Sequence, residues 1–238
     1  MLVLGAAYVT ADILLQGPLR DLDHWLYGRL LLVDDRNARW WTSRFLAEAG
    51  NEFILLPLLG VATLFASWRT WSIRPMVISF VSGAGIGILI PGLKILTGRT
   101  KPLAHGHDSI FAGGTTYPSG HVVNSIVLTA LILEFAVVAW PTLQRWLTVR
   151  VRRWMVVVST TCAGLGTLGL SYHWFTDVLT SWLIGAAMLL VLLGLDVFAP
   201  LHATLRAQDA EPDQVPRRQQ QEAPAPGGPP RQSARSDA

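Results

Sequence analysis

Long apolar blocks separated by short charged connections dominate the first 200 residues of the chain. Hydrophobic residues make up 51% of the 238 residues and charged residues 15%, a balance too apolar for an ordinary soluble domain. Each block comes close to the roughly 20 residues that a helix needs to cross a hydrocarbon layer. The sequence therefore predicts an all-α integral membrane protein, a polytopic bundle of membrane helices. Its best-defined blocks are Phe53–Trp68, Met76–Leu96, Val122–Trp140, Trp154–Tyr172 and Val178–Phe198.

The N-terminal segment adds a further span. Residues Met1–Gln16 are apolar apart from Asp12, and we interpret them as the first of about six transmembrane helices. A cleaved signal peptide is the alternative, although the segment has no basic start and no evident cleavage site. Residues Gly17–Arg44 place apolar side chains at helical spacing among charges, which predicts an interfacial amphipathic helix after the first span.

The chain divides into a six-span membrane domain, residues 1–200, and a tail, residues 201–238. The tail is rich in Pro, Gln, Gly, Arg and Ala and has almost no large apolar side chains. It cannot bury enough surface to offset the entropy lost on ordering. We expect it to be disordered and cytoplasmic.

The placement of arginines predicts the orientation of the bundle. Basic residues follow the second, fourth and last spans, and such connections stay in the cytoplasm. The connections after the third and fifth spans then face outward, and we expect the protein in the plasma membrane. No basic recognition helix points to nucleic acid as a partner, and the single Cys162 excludes an intrachain disulfide. The basic residues of these connections are Arg69, Arg74, Arg145, Arg150, Arg152 and Arg153, with Arg206, Arg217, Arg218, Arg231 and Arg235 in the tail.

The segment Tyr117–His121, with the sequence YPSGH, opens the outward end of one apolar block. Pro118 and Ser119 are typical of a helix start, where unpaired backbone N–H groups and the helix dipole attract an anion such as phosphate. Gly120 would let that anion approach the backbone, and His121 can exchange a proton near neutral pH. An ordinary helix cap beside an interfacial histidine is the alternative.

Other ionisable residues are expected at the same outward end. Lys94, Arg99 and Lys101 close the third span, where a basic cluster opposes the positive-inside pattern and suggests an anionic partner. His173 and Asp177 are four residues apart. On a helix this spacing puts both on one face, so that the carboxylate can hold one ring nitrogen while the other acts as nucleophile or base. A basic interfacial flank and a lone interfacial histidine are the alternatives.

Together these residues resemble the three-part signature of the type 2 phosphatidic acid phosphatase superfamily. Lys94 is followed after six residues by Lys101-Pro102, then by Pro118-Ser119-Gly120-His121 and by His173-x-x-x-Asp177. The motifs cover residues 94–177, and the number and order of spans extend the resemblance over most of residues 1–200. The resemblance implies a metal-independent membrane lipid phosphatase without a cofactor, acting on a phosphorylated phosphatidyl or polyprenyl lipid.

The resemblance also implies a role for each motif residue. His173 would attack phosphorus to form a phosphohistidine, Asp177 would orient it, and His121 would protonate the leaving oxygen. The phosphoryl oxygens would be held by electrostatic contacts. The residues expected to hold them are Lys94, Lys101, Ser119 and Gly120.

Two positions depart from the family pattern. Lys101 replaces the usual arginine, which keeps the charge but loses the bidentate fork. Gly166-Thr167 replace the usual Ser-Arg of the third motif, which removes a phosphate-binding arginine, and Arg99 is a candidate to supply that charge. These departures motivate an alternative function, that of a catalytically degenerate relative that binds phosphorylated lipid or helps to transport it. A transporter built around Glu134 and Asp196 is a weaker alternative, because no inverted repeat supports it.

Two other patterns are interpreted structurally. His105, His107 and Asp108 lie in a short loop without a third strong ligand elsewhere, which is more typical of a solvated turn than of a metal site. Glycines at 83, 85 and 87 and at 164, 166 and 169 lie inside apolar blocks. They predict close helix packing rather than a nucleotide-binding loop.

Overall fold

The computed structural model describes residues 1–30, 38–102, 108–201 and 203, and most of these residues are helical. Eight α-helices lie wholly within those residues, which contain no strand, so the all-α prediction is confirmed. Short 3-10 helices at Glu48–Gly50 and Pro141–Arg145 add to the connections. The α-helices are α1 (Leu2–Leu14), α2 (Pro18–Leu30), α3 (Ala38–Ala47), α4 (Glu52–Thr70), α5 (Arg74–Thr97), α6 (Gly120–Ala139), α7 (Val149–Gly169) and α8 (Phe175–Gly194).

Within the described residues, four stretches are long and apolar enough to cross a membrane: Ala38–Thr70, Arg74–Thr97, Gly120–Ala139 and Phe175–Gly194. A fifth is added if Leu2–Leu14 and Pro18–Tyr27 form one span bent by 78°. The sequence predicted about six spans because it also counted the block Trp154–Tyr172. That block forms most of α7, which is less apolar than the other long helices because arginines occupy its first turns.

The predicted interfacial helix, Gly17–Arg44, is divided in the structure. α2 turns sharply away from α1, while α3 continues through a 3-10 helix into α4. Residues 31–37 between α2 and α3 lie outside the described residues, as does nearly all of the predicted tail, residues 201–238.

Helix α6 is the centre of the bundle. It packs against α4, α5, α7 and α8, and most of its side chains are buried, with Val123, Val127 and Leu131 among them. A helix that is apolar on every side is stable where neighbouring helices cover all of its faces. The outer helices differ, since α5 leaves Phe80 and Ile88 largely exposed, as contact with lipid requires.

Two glycines of α7 let α3 approach closely. A Cβ added to Gly166 would lie 2.3 Å from Ala47 N, and one added to Gly169 would lie 2.2 Å from Ser43 Oγ. The predicted close packing is confirmed at these two positions. At Gly83, by contrast, an added Cβ would meet no atom within 4 Å, so close packing does not explain that glycine.

One end of the bundle collects the helix termini that carry the predicted site. α5 ends there because Gly98 adopts a φ of 53° and donates its N–H to Lys94 O at 2.8 Å. α4 begins there because Asn51 Oδ1 accepts the Phe53 N–H at 3.0 Å.

The same end holds the starts of α6 and α8. As predicted, α6 begins directly after Ser119, which is its N-cap. The start of α6 lies against the start of α4, since a Cβ added to Gly50 would lie 2.1 Å from His121 O. Four helix termini therefore surround one region of the protein.

Candidate active site

His173 lies two residues before the start of α8. Trp174 is the N-cap of that helix, and Asp177 Oδ2 accepts the Trp174 N–H at 2.9 Å. This capping contact turns the carboxylate back toward His173, whose Nδ1 lies 3.5 Å from Asp177 Oδ2. His173 is 8% exposed, and its Nδ1 has no hydrogen-bond partner among the described residues. The pairing therefore arises from a helix cap and not, as the four-residue spacing suggested, from one helical face.

Arg99 holds the other oxygen of Asp177. Its Nη1 donates to Asp177 Oδ1 and to Thr176 Oγ1, both at 2.7 Å. Its Nη2 donates to Asp23 Oδ2 at 2.7 Å and to Asp108 Oδ2 at 2.6 Å, and its Nε donates to Asp108 Oδ1 at 2.8 Å. A guanidinium has five N–H groups, and protein atoms accept all of them here. Arg99 is also fully buried, so its placement does not favour the direct phosphate contact that the sequence suggested.

Three carboxylates and two guanidinium groups form one buried network, which we call the Arg99 cluster: Arg20, Asp23, Arg99, Asp108 and Asp177. Arg20 Nε donates to Asp108 Oδ2 at 2.8 Å, and its Nη2 donates to the Asp108 carbonyl. Burial opposes the charge on Arg99, but Asp177, Asp108 and Asp23 outweigh it and raise the pKa of Arg99 above its ordinary value. Mutual compensation of this kind is the condition under which charges are buried in proteins.

The sequence suggested that Asp108 lies in a solvated loop. In the structure Asp108 is buried and belongs to the Arg99 cluster. Burial alone would raise the pKa of Asp108, but the hydrogen bonds and charge of Arg99, together with those of Arg20, hold it below its ordinary range. Its neighbours His105 and His107 lie outside the described residues.

Asp23 ties α2 to the start of α8. Its Oδ1 accepts the Thr176 N–H at 2.9 Å, and its Oδ2 accepts the Thr176 hydroxyl. The same helix covers Trp174, since the rings of His24 and Tyr27 lie 5.2 and 5.5 Å from it. The sequence assigned this segment only to the membrane interface and so missed the role of Asp23. Asp23 is fully buried in a short amphipathic helix, and its burial can be recognised only from the structure.

Tyr117 anchors the YPSGH segment between α1 and α8. Its hydroxyl lies 2.6 Å from Thr10 Oγ1 and 3.0 Å from Thr180 Oγ1. Burial raises the pKa of the Tyr117 phenol, so the group stays neutral near pH 7. The segment that leads into α6 is therefore fixed by hydrogen bonds to two other helices.

Ser119 and Gly120 offer an anion fewer groups than the sequence suggested. The Ser119 N–H donates to Ser181 Oγ at 2.7 Å, so it is already occupied. Its hydroxyl, however, is fully buried and has no hydrogen-bond partner in the described part of the chain. The N–H groups of Gly120 and His121 belong to the first helical turn and have no intrahelical partner. A Cβ added to Gly120 would meet only Ile90 Cγ2, at 3.9 Å.

His121 brings the motifs together. It is half-buried and close enough to His173 and Lys94 to interact electrostatically with both. Lys94 is also half-buried and interacts in the same way with Asp177 and Lys101. The structure thus gathers the basic, histidine and carboxylate groups that the sequence placed at one end.

Lys94 and Lys101 differ in exposure. Lys94 lines a cavity of about 400 Å³ together with Gly98, Phe111, Gly113, Gly114 and Thr115. Lys101 is exposed, and its Nζ lies 5.6 Å from the centre of the Tyr172 ring. The Lys101 ammonium therefore lies next to the residue that directly precedes His173.

Glu52 is a residue of the site that the sequence interpretation missed. It is the first residue of α4, and its Oε2 accepts a hydrogen bond from Asn124 Nδ2 at 3.4 Å. It also interacts electrostatically with Lys94 and His121. The Asn51-Glu52 pair is typical of a helix start, which is the sequence signal that could have located it.

Thr167 occupies the position of the missing arginine. It is fully buried in α7, and its hydroxyl donates within its own helix, with Ala163 O at 2.9 Å and Gly164 O at 3.1 Å. The side chain therefore contributes neither a charge nor a free donor to the site.

The site combines two imidazoles, one oriented carboxylate and two ammonium groups, a set that can bind a phosphoryl group and transfer it. The densest acidic group at this end is the Arg99 cluster, where guanidinium groups already pair with the carboxylates. Among the described residues, no three His, Cys, Asp or Glu side chains are grouped so as to hold a metal ion.

Comparison with known proteins identifies the family. The PAP2 superfamily matches residues 75–198, a little more than half of the 238 residues. One similar solved structure is described as the first transmembrane PAP2 type phosphatidylglycerolphosphate phosphatase, from Bacillus subtilis. It has a TM-score of 0.67 and 22% sequence identity, and the match covers 82% of this chain and 94% of that chain. No curated protein matches the chain. All three motifs lie inside the matched residues, and the chain belongs to the PAP2 superfamily.

Proposed function

We propose that the protein is a membrane lipid phosphatase that hydrolyses a phosphate or diphosphate on a lipid headgroup through a phosphohistidine intermediate. The observation that carries the proposal is the geometry of His173. Its Nδ1 faces Asp177 Oδ2 at 3.5 Å, and Asp177 is itself held by Arg99 and by the Trp174 N–H. With the Nδ1 proton directed at the carboxylate, Nε2 keeps its lone pair for attack on phosphorus. Catalytic hydrogen bonds are often long in ligand-free sites and shorten when substrate binds.

The proposed reaction has two steps. In the first, Nε2 of His173 attacks the terminal phosphorus, the bond between that phosphorus and the oxygen of the leaving lipid alcohol or lipid phosphate breaks, and protonated His121 gives its proton to that oxygen. In the second, neutral His121 takes a proton from water, the water oxygen attacks phosphorus, and the bond to Nε2 breaks to release phosphate. Atoms and protons balance without a metal or another cofactor.

The phosphoryl oxygens would be held by Lys94, Lys101, the Ser119 hydroxyl and the backbone N–H of Gly120. The buried Ser119 hydroxyl has no other partner among the described residues, and a buried polar group without a partner costs free energy that a bound phosphate would recover. The site lies where helices from an apolar bundle end, so a lipid tail can remain in hydrocarbon while its headgroup reaches His173. This arrangement supports a phosphatidyl or polyprenyl substrate over a water-soluble one.

We also propose that the site faces outward in the plasma membrane. Arg74 and the arginines of α7 lie at the opposite end of the bundle, where they fit the cytoplasmic side. Intact spheroplasts supplied with a short-chain lipid phosphate should release phosphate into the medium. Release only after lysis contradicts this orientation.

The test of function is phosphate release by the purified protein from phosphatidic acid, phosphatidylglycerol phosphate, polyprenyl diphosphate and polyprenyl phosphosugar substrates. At least one should be hydrolysed, vanadate should inhibit, and a chelator should have no effect. His173→Ala should abolish phosphate release and should form no acid-labile phosphoenzyme. Retained turnover in His173→Ala contradicts the phosphohistidine mechanism, and loss of activity with chelator contradicts the metal-free scheme.

The leaving group separates the role of His121 from that of His173. The nitrophenolate of a nitrophenyl phosphate leaves without protonation, whereas the alkoxide of a lipid alcohol needs a proton to leave. His121→Ala should therefore lose much less activity on the nitrophenyl ester than on the lipid, while His173→Ala should lose both. Equal losses on both substrates in His121→Ala contradict a general-acid role.

A second candidate function is binding or transport of phosphorylated lipid without hydrolysis. Two observations favour it. Thr167 carries no charge, and its hydroxyl donates within its own helix. All N–H groups of Arg99 donate to protein atoms, so none is left for a phosphate. Losing one phosphate donor typically costs about 10²–10³ in kcat. Purified protein that binds a non-hydrolysable lipid phosphonate but releases no phosphate from any substrate of the panel would establish this second function.

A further inference from the structure

A second pocket lies at the end of the bundle opposite the candidate active site. It is a cavity of about 280 Å³ between α6, α7, α8 and the segment after α8, and its lining includes Glu134, Arg152, Arg153, Val156, Leu193 and Phe198. Glu134 and His121 both belong to α6 and are 13 residues apart, so they are separated by roughly 20 Å along the helix axis. The two sites therefore do not overlap.

Two of the three guanidinium nitrogens of Arg152 make no hydrogen bond with the described residues. Its side chain is 11% exposed, and its Nε lies 3.3 Å from Glu134 Oε1. Neither Nε nor Nη1 makes a hydrogen bond with the described residues, although both atoms are buried. A buried donor without an acceptor loses its hydration without compensation. The pocket thus presents N–H groups that an additional oxyanion can satisfy.

The charge around the pocket is positive. Glu134 compensates one of the two arginines that line it, which leaves the charge of Arg153. A neighbouring cavity of about 550 Å³ shares Val149, Arg153 and Val157 with the first and adds Arg150 and Trp154. Together the two cavities carry three arginines and one carboxylate.

The remaining lining is apolar, and this decides which anion fits. Valine, leucine and phenylalanine side chains cover most of the pocket wall, which suits an acyl chain and offers nothing to a free phosphate ion. Trp154 and Trp146 are 63% and 68% exposed at the same end, and exposed tryptophans are typical of the level of lipid headgroups. Basic pockets between helices at that level bind anionic headgroups.

We propose that this pocket binds the phosphodiester of an anionic phospholipid from the leaflet opposite the catalytic end, with Arg152 and Arg153 contacting the phosphate and the apolar wall contacting an acyl chain. Glu134 competes with the lipid for Arg152. The site is independent of the function proposed for the catalytic end.

Because Glu134 and the lipid compete for Arg152, two kinds of substitution should have opposite effects on lipid binding. Arg152→Gln combined with Arg153→Gln removes the phosphate donors and should weaken binding by about tenfold or more, the effect expected for losing a hydrogen bond to a charged group. Glu134→Gln removes the competitor and should strengthen binding. Arg74→Gln is the matched control, because Arg74 is exposed at the same end, at the start of α5, and does not line the pocket.

The measurement is native mass spectrometry of the full-length protein released from nanodiscs that contain equal amounts of phosphatidylglycerol and phosphatidylcholine. The wild-type protein and Arg74→Gln should retain phosphatidylglycerol preferentially, the double arginine variant should lose that preference, and Glu134→Gln should increase it. Equal retention of both lipids by the wild type overturns the proposal, as does unchanged retention in the double variant. If the double variant does not fold, Glu134→Gln decides alone, and an unchanged or reduced preference overturns the proposal.

A separate experiment distinguishes the lipid from free phosphate. Inorganic phosphate at millimolar concentration is added to the detergent-solubilised protein, and the thermal unfolding midpoint is compared with that in phosphatidylglycerol micelles. The lipid should raise the midpoint in the wild type and not in the double arginine variant, while phosphate should leave both unchanged. An increase with phosphate alone that depends on the two arginines overturns the assignment to lipid.

Discussion

Arg99 donates a 2.7 Å hydrogen bond to Asp177, so the carboxylate beside His173 is fixed by a guanidinium whose N–H groups all have protein acceptors. The second oxygen of Asp177 accepts the Trp174 N–H. Since both oxygens are held, the carboxylate has little freedom to reorient during a reaction, and preorganised groups of this kind account for much of enzymatic rate enhancement. Residues that never approach a substrate can therefore control the geometry of His173.

Asp23→Asn tests this control. An amide cannot balance the charge of Arg99 or accept the Thr176 N–H and hydroxyl together as a carboxylate does, so Arg99 and Asp177 should shift. Because a displacement of about 1 Å can cost on the order of 10²-fold in rate, we expect a large fall in kcat with little change in KM. The measurement is steady-state phosphate release.

Asp21→Asn is the matched control for that substitution, because Asp21 lies on the same helix and is exposed. It should leave kcat unchanged. Asp23→Glu should recover part of the lost kcat. An increase in KM without a fall in kcat for Asp23→Asn contradicts a positioning role.

The depressed pKa of Asp108 predicts how stability depends on pH. A carboxyl whose folded pKa lies below its unfolded value, near 4, stabilises the fold at pH values above the unfolded value. That stabilisation is lost as the pH falls through the unfolded value toward the folded one. The unfolding midpoint should therefore fall between about pH 5 and pH 3.

Asp108→Asn should reduce stability near pH 7 and flatten this acid dependence. Removing one partner of a buried ion pair costs about 3–5 kcal/mol of the free energy of unfolding. Wild type and variant are compared by thermal unfolding in detergent at several pH values. A variant with the same acid slope as the wild type is inconsistent with a depressed pKa at Asp108.

Glu52 and Lys94 should act as a coupled pair. Glu52 interacts electrostatically with Lys94 and His121, so Glu52→Gln should misplace Lys94 and reduce kcat/KM by about tenfold, the effect of losing one charged contact. Lys94→Met should have a larger effect, because it removes a phosphate contact.

The double variant Glu52→Gln/Lys94→Met completes a cycle for this pair. If the two residues act together, Glu52→Gln should have little further effect once Lys94 is absent. Strictly additive losses in kcat/KM mean that Glu52 acts without Lys94.

Gly120→Ala separates folding from anion binding. Its added Cβ would meet only Ile90 Cγ2, at 3.9 Å, so the protein should fold with unchanged stability. The methyl group would nevertheless stand where an anion approaches the start of α6, so inhibition by vanadate should weaken severalfold and KM should rise. Gly60→Ala in α4 is the control, because its Cβ would meet no atom within 4 Å and Gly60 lies away from the start of α6. Unchanged vanadate inhibition in Gly120→Ala rules out an anion at this helix start.

The sequence was sufficient to predict the long helices and the end of the bundle at which the motifs meet, because apolar periodicity and helix-start residues are local signals. It was not sufficient for Arg99, whose basic character suggested a phosphate contact while the structure surrounds it with protein acceptors. Asp23 and Glu52 were missed for a related reason. Their partners lie far along the chain, and neither residue belongs to a motif that local spacing can identify.

The bond between the Thr176 N–H and Asp23 joins residues 153 positions apart, which places α2 and α8 in one network. Contacts of such long range form late, because the intervening chain must be in place before they can close. A nascent chain that lacks α8 has neither Thr176 nor the carboxylate of Asp177. The geometry around His173 is therefore completed only when the whole bundle has been inserted, so a partly synthesised chain has no assembled catalytic centre to act on the surrounding lipids.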